Sequence, residues 1–295
     1  MNTSLKTETV TPLPYRLLMM DIDGTLLDEK GKITPRTRAA VRSALEAGIL
    51  VTLATARRHF SAALFAADLG LDAPIVSYDG ALICEHPDSA IWHTDPLPAL
   101  LGQAAIDAIK RYGMQPIVQY SLPDGEHVCT GPESGDTVWE ANYLRIFSAQ
   151  IERRSLDDLC ADEHDPLRVV AFGPEDRLEL VAAELRRLPC QLYFNPLGSY
   201  HSPELSVMSP TASKGNALSV IASRLNIPMS QTVTIGDSFN DISMLGVAGL
   251  GVAMGQAPHE VRTTAHVLTL PNTDDGAAVA IERYILSTLN GHHPR

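Results

Sequence analysis

Short apolar runs alternate along this chain with segments whose apolar residues recur at helical spacing. Apolar runs occupy residues 15–20, 49–55 and 232–236, and each is followed by a polar or glycine-containing turn. Helical spacing follows the first two runs, over residues 37–47 and 57–71. Short apolar runs bounded by turns are typical of inner strands of a parallel sheet. The rhythm of strand and helix therefore predicts an α/β core with a doubly wound parallel sheet.

The rhythm changes at about His86, where a proline-rich stretch begins. Helix and strand candidates of a different texture continue to about Tyr200, and the alternation of strand and helix then returns. We predict a core formed by residues 15–85 and 201–295, with an inserted α+β domain over residues 86–200. The polar, proline-containing residues 1–14 are predicted to be a disordered lead-in.

Composition narrows the possible partners. Hydrophobic residues make up 45% of the 295 residues and charged residues 20%, which is ordinary for a globular protein. The formal net charge of −12 argues against a nucleic-acid or anionic membrane partner. No apolar run approaches the roughly 20 residues of a membrane-spanning helix, and residues 1–14 lack the apolar centre of a signal peptide. The four cysteines form no CxxC pair, so we expect reduced thiols in a cytoplasmic protein.

An acidic turn after the first apolar run carries the strongest chemical signal. Asp21 lies at the carboxyl end of the predicted strand, where open α/β sheets bind ligands. Asp23 follows two residues later, and Gly24 allows a sharp turn. Two carboxylates this close repel each other unless a cation lies between them, which favours a hard divalent metal such as Mg²⁺. The alternative is an Asp-rich turn that caps the next helix.

The segment DIDGTLLD at 21–28 resembles the first motif of the haloacid dehalogenase-like (HAD) phosphohydrolases. Three further segments follow in the order of that family's motifs: ATAR at 54–57, SKG at 213–215 and GDSFND at 236–241. The likeness covers almost all of the predicted core. The insert lies between the second and third motifs, as in the type IIB (Cof-like) subgroup. The resemblance implies a Rossmann-like core with an α+β cap domain of the C2B type.

The resemblance also implies a role for each matching residue. Asp21 would be the nucleophile that forms an aspartyl-phosphate, and Asp23 the general acid and base, while Thr55 and Lys214 would stabilise the phosphoryl charge. The implied ligands of Mg²⁺ are Asp21, Asp23 (through its backbone carbonyl) and Asp237. The implied phosphate-binding residues are Thr55, Ala56, Arg57, Lys214 and Asn240. Two residues would support the site, Gly24 and Asp241.

Several positions depart from the family's usual pattern. Ala56 stands where Gly is usual, and Asp79 and Gln256 each stand where Asn is usual. An acidic residue is more common at the position of Ser206. Asp79 would alter the charge near the cap. The sequence leaves open what these departures do.

We therefore expect a Mg²⁺-dependent phosphatase that acts on a small phosphorylated metabolite, with sugar phosphates as the expected class. The alternatives are a phosphomutase or phosphotransferase of the same lineage, and a non-catalytic phospho-acceptor regulator. The physiological substrate and the choice between monomer and homodimer stay open. Five cap residues are candidates for a substrate pocket, although each could equally pack or lie exposed: Tyr120, His127, Trp139, Tyr143 and Arg145.

Overall fold

A computed structural model describes residues 15–122, 125–160, 164–196 and 200–287. The predicted lead-in, residues 1–14, lies outside the described residues. The described strands are β1 (Leu17–Met20), β2 (Leu50–Leu53), β3 (Ile75–Ser77), β4 (Leu82–Cys84), β5 (Ile91–Thr94), β6 (Pro116–Leu122), β7 (Gly125–Thr130), β8 (Ile151–Arg153), β9 (Arg168–Phe172), β10 (Gln191–Asn195), β11 (Glu204–Met208), β12 (Thr232–Gly236), β13 (Leu250–Ala253) and β14 (Val267–Leu268).

Helices alternate with the strands of the first and last thirds of the chain. The described α-helices are α1 (Pro35–Glu46), α2 (His59–Leu69), α3 (Ala99–Arg111), α4 (Ala141–Phe147), α5 (Glu175–Leu185), α6 (Lys214–Arg224), α7 (Ile242–Val247), α8 (His259–Thr264) and α9 (Gly276–Ala280). The last helix continues as wider, π-helical turns over Ile281–Leu286. Within the described residues, no helix has the length and apolar character needed to cross a membrane.

A five-stranded sheet in the order β14-β13-β12-β1-β2 forms the centre of the core. All its neighbouring strands are parallel, and Leu17 of β1 lies in register with Thr232 of β12 and Leu50 of β2. The four residues of β1 are all fully buried, as expected for an inner strand covered on both faces. The carboxyl ends of β1, β2 and β12 consequently lie side by side at one edge of the sheet.

Alternate side chains of β1 pack into two different helical layers. Leu18 and Met20 join a cluster with Val41 of α1 and Ile281 after α9. Leu17 and Met19 join another cluster with residues of α6 and α7 on the opposite face. Because successive side chains of a strand point to opposite faces, one strand supplies both layers. The predicted doubly wound α/β core is confirmed.

The inserted segment has its own sheet, in the order β10-β11-β9-β6-β7-β8. Its pairings are antiparallel except for β7 with β8. Residues of α3 and α5 cover one face in an apolar cluster, and α4 covers the other with Tyr143 and Phe147. The predicted α+β character of the insert is confirmed. We call this segment the cap.

The predicted boundaries of the cap need correction. Strand β11 lies beyond residue 200, yet it pairs with β9 and β10 of the cap sheet. At the other end, β5 lies beyond residue 86, but it pairs with β4 in a three-stranded sheet that extends the core edge. Both strands are short, and a short strand carries no sign in its sequence of which sheet it will join.

Candidate active site

Three of the predicted site residues meet because parallel strands end at the same edge of the core sheet. Asp21 follows β1, Thr55 lies just beyond β2, and Asp237 follows β12. The backbone N–H of Asp21 donates to the carbonyl of Ile235, which continues the strand pairing to the edge. Lys214 begins α6, whose amino end is capped by Ser213: the Ser213 hydroxyl accepts from the N–H of Asn216 at 3.1 Å.

Lys214 is the electrostatic centre of the site. Its Nζ donates to Oδ1 of Asp21 and to Oδ1 of Asp241, each at 2.6 Å. The Lys214 side chain is fully buried, and the two carboxylates are nearly so. Burial by itself would lower the pKa of Lys214, but the charges of Asp21 and Asp241 outweigh it and raise that pKa. Lys214 is therefore a fixed positive charge beside the Asp21 carboxylate.

Asp241 holds Lys214 and the turn after β12 together. While its Oδ1 accepts from Lys214, its Oδ2 accepts from the backbone N–H groups of Asp237 and Ser238, both at 2.9 Å. Its carboxylate also lies against Gly236, where an added Cβ would overlap the Asp241 side chain. Both oxygens therefore accept hydrogen bonds, and the supporting role of this residue stays a prediction.

Gly24 permits the close approach of the first turn to Asp237. Its φ of +81° lies in the left-handed region that favours glycine. An added Cβ there would overlap the carboxylate of Asp237. The next residue, Thr25, donates its hydroxyl to Oδ1 of Asp237 at 3.0 Å. Gln256, one of the departures from the family pattern, donates its side-chain amide to the Gly24 carbonyl at 2.6 Å.

The carboxylates of this site fit a divalent cation. Oxygen atoms of Asp21, Asp237 and Asp241 all lie within 4.8 Å of one another. Burial raises the pKa of Asp21 well above its ordinary value even though Lys214 opposes the shift. Burial and the charge of Asp241 raise the pKa of Asp237 to about 7. A hard cation would relieve this repulsion, and Asp21 and Asp237 have the carboxylate oxygens to hold it.

Asp23 lies outside this cluster of carboxylates. Its two oxygens accept from Nε and Nη2 of Arg57, at 2.7 and 2.6 Å. About half of the Asp23 side chain is exposed, so it lies at the mouth of the site. That exposed position suits a group that exchanges protons with a leaving group and with water. A metal contact through its backbone carbonyl stays a prediction.

Thr55 and Ala56 form the turn after β2. Thr55 is buried, and its hydroxyl accepts from the N–H of Arg57 at 3.1 Å. Its carbonyl accepts from the N–H of Asp79, which ties this turn to the one after β3. Ala56 lines the cleft described below. The phosphate-binding roles predicted for both residues stay predictions.

Asp79 occupies a strained turn opposite Asn240. Tyr78 and Asp79 have φ values of +50° and +52°, which residues other than glycine adopt only at an energetic cost. Oδ1 of Asp79 accepts from the Asn240 side-chain amide at 2.7 Å. The other end of that amide, Asn240 Oδ1, is buried and has no partner in the part of the chain that the structure describes. Asn240 thus links the predicted phosphate site to Asp79.

A cleft of about 480 Å³ opens from these residues toward the cap. Its core wall includes Asp79, Asp237 and Asn240, and its cap wall includes Tyr193 and Glu204. The five cap residues proposed from the sequence do not line this cleft. Tyr120 and Tyr143 are buried in the cap, whereas Arg145 is exposed.

The sequence did not identify the residues of the cap wall. Residues two apart on a strand share a face, and Glu204 and Ser206 of β11 both line the cleft. Finding them required knowledge that β11 belongs to the cap sheet.

Comparison with known proteins identifies the family. A family model described as haloacid dehalogenase-like hydrolase matches residues 18–281. The phosphatase YwpJ of Bacillus subtilis is 30% identical, with 89% of this chain and 97% of the relative covered. The pyridoxal phosphate phosphatase YbhA of Escherichia coli is 27% identical, over 92% of this chain and 99% of the relative.

A solved structure shows the same fold. A haloacid dehalogenase-like hydrolase from Bacillus subtilis superimposes with a TM-score of 0.75 at 26% identity, over 91% of this chain and 99% of that one. The α+β insert between the second and third motifs agrees with a C2B cap, and the predicted family and fold class are confirmed. The chain belongs to the haloacid dehalogenase-like hydrolases and is a phosphatase.

Proposed function

We propose that the protein is a Mg²⁺-dependent phosphatase that hydrolyses a small phosphorylated metabolite through an aspartyl-phosphate on Asp21. The observation that carries this proposal is the contact of Asp21 with Lys214. One carboxylate oxygen of Asp21 lies 2.6 Å from the buried ammonium, and the same carboxylate belongs to the cluster with Asp237. A nucleophile held between a fixed cation and a metal-binding carboxylate suits phosphoryl transfer, which depends mainly on positioning and electrostatics.

The first step forms the covalent intermediate. An oxygen of Asp21 attacks phosphorus, and the bond from phosphorus to the leaving oxygen breaks with its electron pair going to that oxygen. Asp23, in its protonated form, gives a proton to the leaving oxygen. Lys214 stabilises negative charge on the phosphoryl group. Mg²⁺ bound by Asp21 and Asp237 would add positive charge at the same group.

The second step releases phosphate. Asp23, now ionised, takes a proton from a water molecule while the oxygen of that water molecule attacks phosphorus. The acyl-phosphate bond breaks and the Asp21 carboxylate is restored. Asp23 ends the cycle protonated, as it began. Arg57 orients Asp23 for both transfers through its two hydrogen bonds.

The proposed substrates are small phosphate monoesters, and sugar phosphates are the class expected from the sequence. The cleft beside Asp21 has room for such a molecule. The relative YbhA is named for pyridoxal phosphate, so phosphorylated cofactors belong among the candidates. A cytoplasmic location, the absence of nucleic-acid and membrane partners, and a monomeric or homodimeric state stay predictions.

The test is phosphate release from a panel of phosphorylated sugars, nucleotides and cofactors, with Mg²⁺ and with EDTA. We expect release that depends on Mg²⁺ and is absent from Asp21→Asn. Isomerisation of a sugar phosphate without release would instead identify a phosphomutase. Stable phosphorylation of Asp21 with no turnover of any compound would identify a phospho-acceptor regulator. Equal release by Asp21→Asn and the unaltered protein would exclude the aspartyl-phosphate route.

A further inference from the structure

Besides Asp237 of the predicted metal site, two acidic side chains line the cleft between core and cap. Asp79 comes from the turn after β3 of the core, and Glu204 from β11 of the cap. Only 2% of Asp79 and 8% of Glu204 is exposed. Burial raises the pKa of Glu204, the charge of Arg168 opposes that rise, and the charge of Asp79 makes a smaller contribution to it. Two carboxylates from different parts of the chain thus border one enclosed space.

Each carboxylate keeps one oxygen available to a ligand. Oδ1 of Asp79 accepts from Asn240, and Oε1 of Glu204 accepts from the Ser206 hydroxyl at 3.1 Å. The second oxygens, Oδ2 of Asp79 and Oε2 of Glu204, accept no hydrogen bond within the described part of the chain. Carboxylate oxygens accept hydrogen bonds, and neither of these two is among the fully buried atoms without a partner, so donors can reach them from the cleft. A ligand in the cleft is the natural source of those donors.

Positive charge is missing from the same walls. Among the described residues that line the cleft, none is Lys, Arg or His. The nearby cations are engaged elsewhere: Lys214 with Asp21 and Asp241, and Arg57 with Asp23. Arg168 lies over the ring of Tyr78 and donates to Gln119; it does not line the cleft, although its buried charge interacts with both Glu204 and Asp79. A second anionic group on the substrate would therefore contact these carboxylates at the cleft surface, where no cationic side chain of the described lining is present to pair with it.

We propose that Asp79 and Glu204 determine substrate specificity by selecting a leaving group that bears hydrogen-bond donors and carries no negative charge. The preferred class is a phosphate monoester of an amine-bearing molecule, followed by neutral polyol phosphates. Bisphosphates and phosphorylated carboxylic acids are rejected. This inference rests on the proposed function, since the phosphoryl group must lie at Asp21 for the leaving group to reach the cleft.

Asp79 is the more informative half of the pair. Asn is usual at its position in the family's pattern, and Asn would offer one acceptor and no charge. The chain instead places a carboxylate there, in a turn whose φ of +52° fixes its direction. Asp79→Asn and Glu204→Gln both remove charge while preserving side-chain shape and one carbonyl acceptor. These two substitutions therefore test the effect of the negative charges on substrate choice without changing the packing of the cleft.

The experiment uses three related substrates: glucosamine 6-phosphate, glucose 6-phosphate and 6-phosphogluconate. Their inhibition constants are measured against hydrolysis of p-nitrophenyl phosphate with saturating Mg²⁺. We expect the amine to bind best and the acid worst, with about a tenfold or larger difference between them. In the Asp79→Asn/Glu204→Gln double variant, the ratio of the inhibition constant of the acid to that of the amine should fall to about twofold or less. Glu179→Gln removes an exposed charge of the cap outside the cleft and should leave the ratio unchanged.

Calorimetric binding of the same three compounds to Asp21→Asn gives the ratio without turnover. Failure of the proposed phosphatase function and failure of the specificity proposal are thus distinguishable. If the protein is not a phosphatase, no p-nitrophenol is released. If only the specificity proposal is wrong, p-nitrophenol is released and the double variant keeps the binding ratio of the unaltered protein. Equal binding of amine and acid, tighter binding of the acid, or no binding of the amine overturns the proposal. So does a ratio that the double variant retains while its melting temperature shows a folded protein.

Discussion

Arg57 holds both carboxylate oxygens of Asp23 at once, with Nε at 2.7 Å and Nη2 at 2.6 Å. The two parallel hydrogen bonds fix the plane of a carboxylate that is otherwise half exposed. We expect Arg57→Ala to lower kcat by about tenfold, because the proton donor loses its orientation. Arg57→Lys should recover only part of the loss, since an ammonium cannot reproduce the two-point contact. Steady-state kinetics of both variants with one substrate measure this.

Arg36 provides a matched control for Arg57. It contacts Glu282 through the same Nε and Nη2 atoms, at 3.1 and 2.7 Å, on an exposed surface away from the site. Arg36→Ala should leave kcat unchanged. Both alanine variants should change the free energy of unfolding by less than about 1 kcal/mol, because each ion pair is partly exposed to water. Equal kcat values for Arg57→Ala and Arg36→Ala would show that Arg57 does not position Asp23.

Lys214 is expected to be needed for both stability and activity. Lys214→Met leaves the buried carboxylates of Asp21 and Asp241 without their shared cation. Loss of one partner of a buried ion pair costs about 3 to 5 kcal/mol, so the free energy of unfolding should fall by this order. Phosphatase activity should fall by about a thousandfold or more, since the charge beside the nucleophile is lost. Urea unfolding and phosphate release measure the two effects separately.

The control for Lys214 is Lys110, whose ammonium lies 2.9 Å from a largely exposed Asp157 carboxylate. Lys110→Met removes an ion pair of similar length, but in water. Its free energy of unfolding should change by less than about 1 kcal/mol, and its activity should be unchanged. A large loss in Lys110→Met would show that ion pairing, not burial at the site, dominates the effect.

Gly24 and Gly70 separate backbone strain from steric overlap. Both have positive φ, +81° and +65°, but a Cβ at Gly24 would overlap Asp237, whereas the space around Gly70 is open. Gly70→Ala should cost about 1 kcal/mol from its backbone conformation alone. Gly24→Ala should cost about 1 to 3 kcal/mol more and should also abolish the thermal stabilisation by Mg²⁺, since Asp237 is displaced. Melting temperatures with and without Mg²⁺ test both; equal losses would show that overlap contributes nothing.

The positions of several predicted core-site residues follow from strand ends, which the sequence reveals. Asp21 and Asp237 follow apolar strands whose ends coincide in a parallel sheet, so their proximity follows from topology. Lys214 was expected at a helix start, and α6 begins there with a Ser213 cap. Strand ends and helix starts can be predicted from the sequence because residues close together in the chain determine them.

The cap wall could not be predicted in the same way. Glu204 lines the cleft because β11 pairs with β9 and β10, and pairing partners distant in sequence leave no local trace. Tyr143 was a pocket candidate as an aromatic residue, but its ring packs against Phe147, Phe172 and Tyr200. An aromatic side chain has the same appearance in a sequence whether it packs in a core or binds a ligand.

Metal binding should depend on pH through Asp237. Its pKa is raised to about 7 by burial and by the charge of Asp241, far above the value of about 4 expected in an unfolded chain. Between these values the metal-free folded protein binds more protons than the unfolded one. The contribution of Asp237 to stability is therefore fully present below about pH 4 and is lost as the pH rises to about 7.

Mg²⁺ should reverse this loss, because it binds the ionised carboxylate and replaces the proton. We expect the rise in melting temperature on adding Mg²⁺ to be small at about pH 5.5 and clearly larger at about pH 8. Asp237→Asn removes the titrating group, so its melting temperature should respond little to Mg²⁺ at either pH. Calorimetric scans of both proteins, with and without Mg²⁺, measure these shifts. A stabilisation by Mg²⁺ that is equal at the two pH values, or that Asp237→Asn retains, would show that Asp237 does not hold the cation.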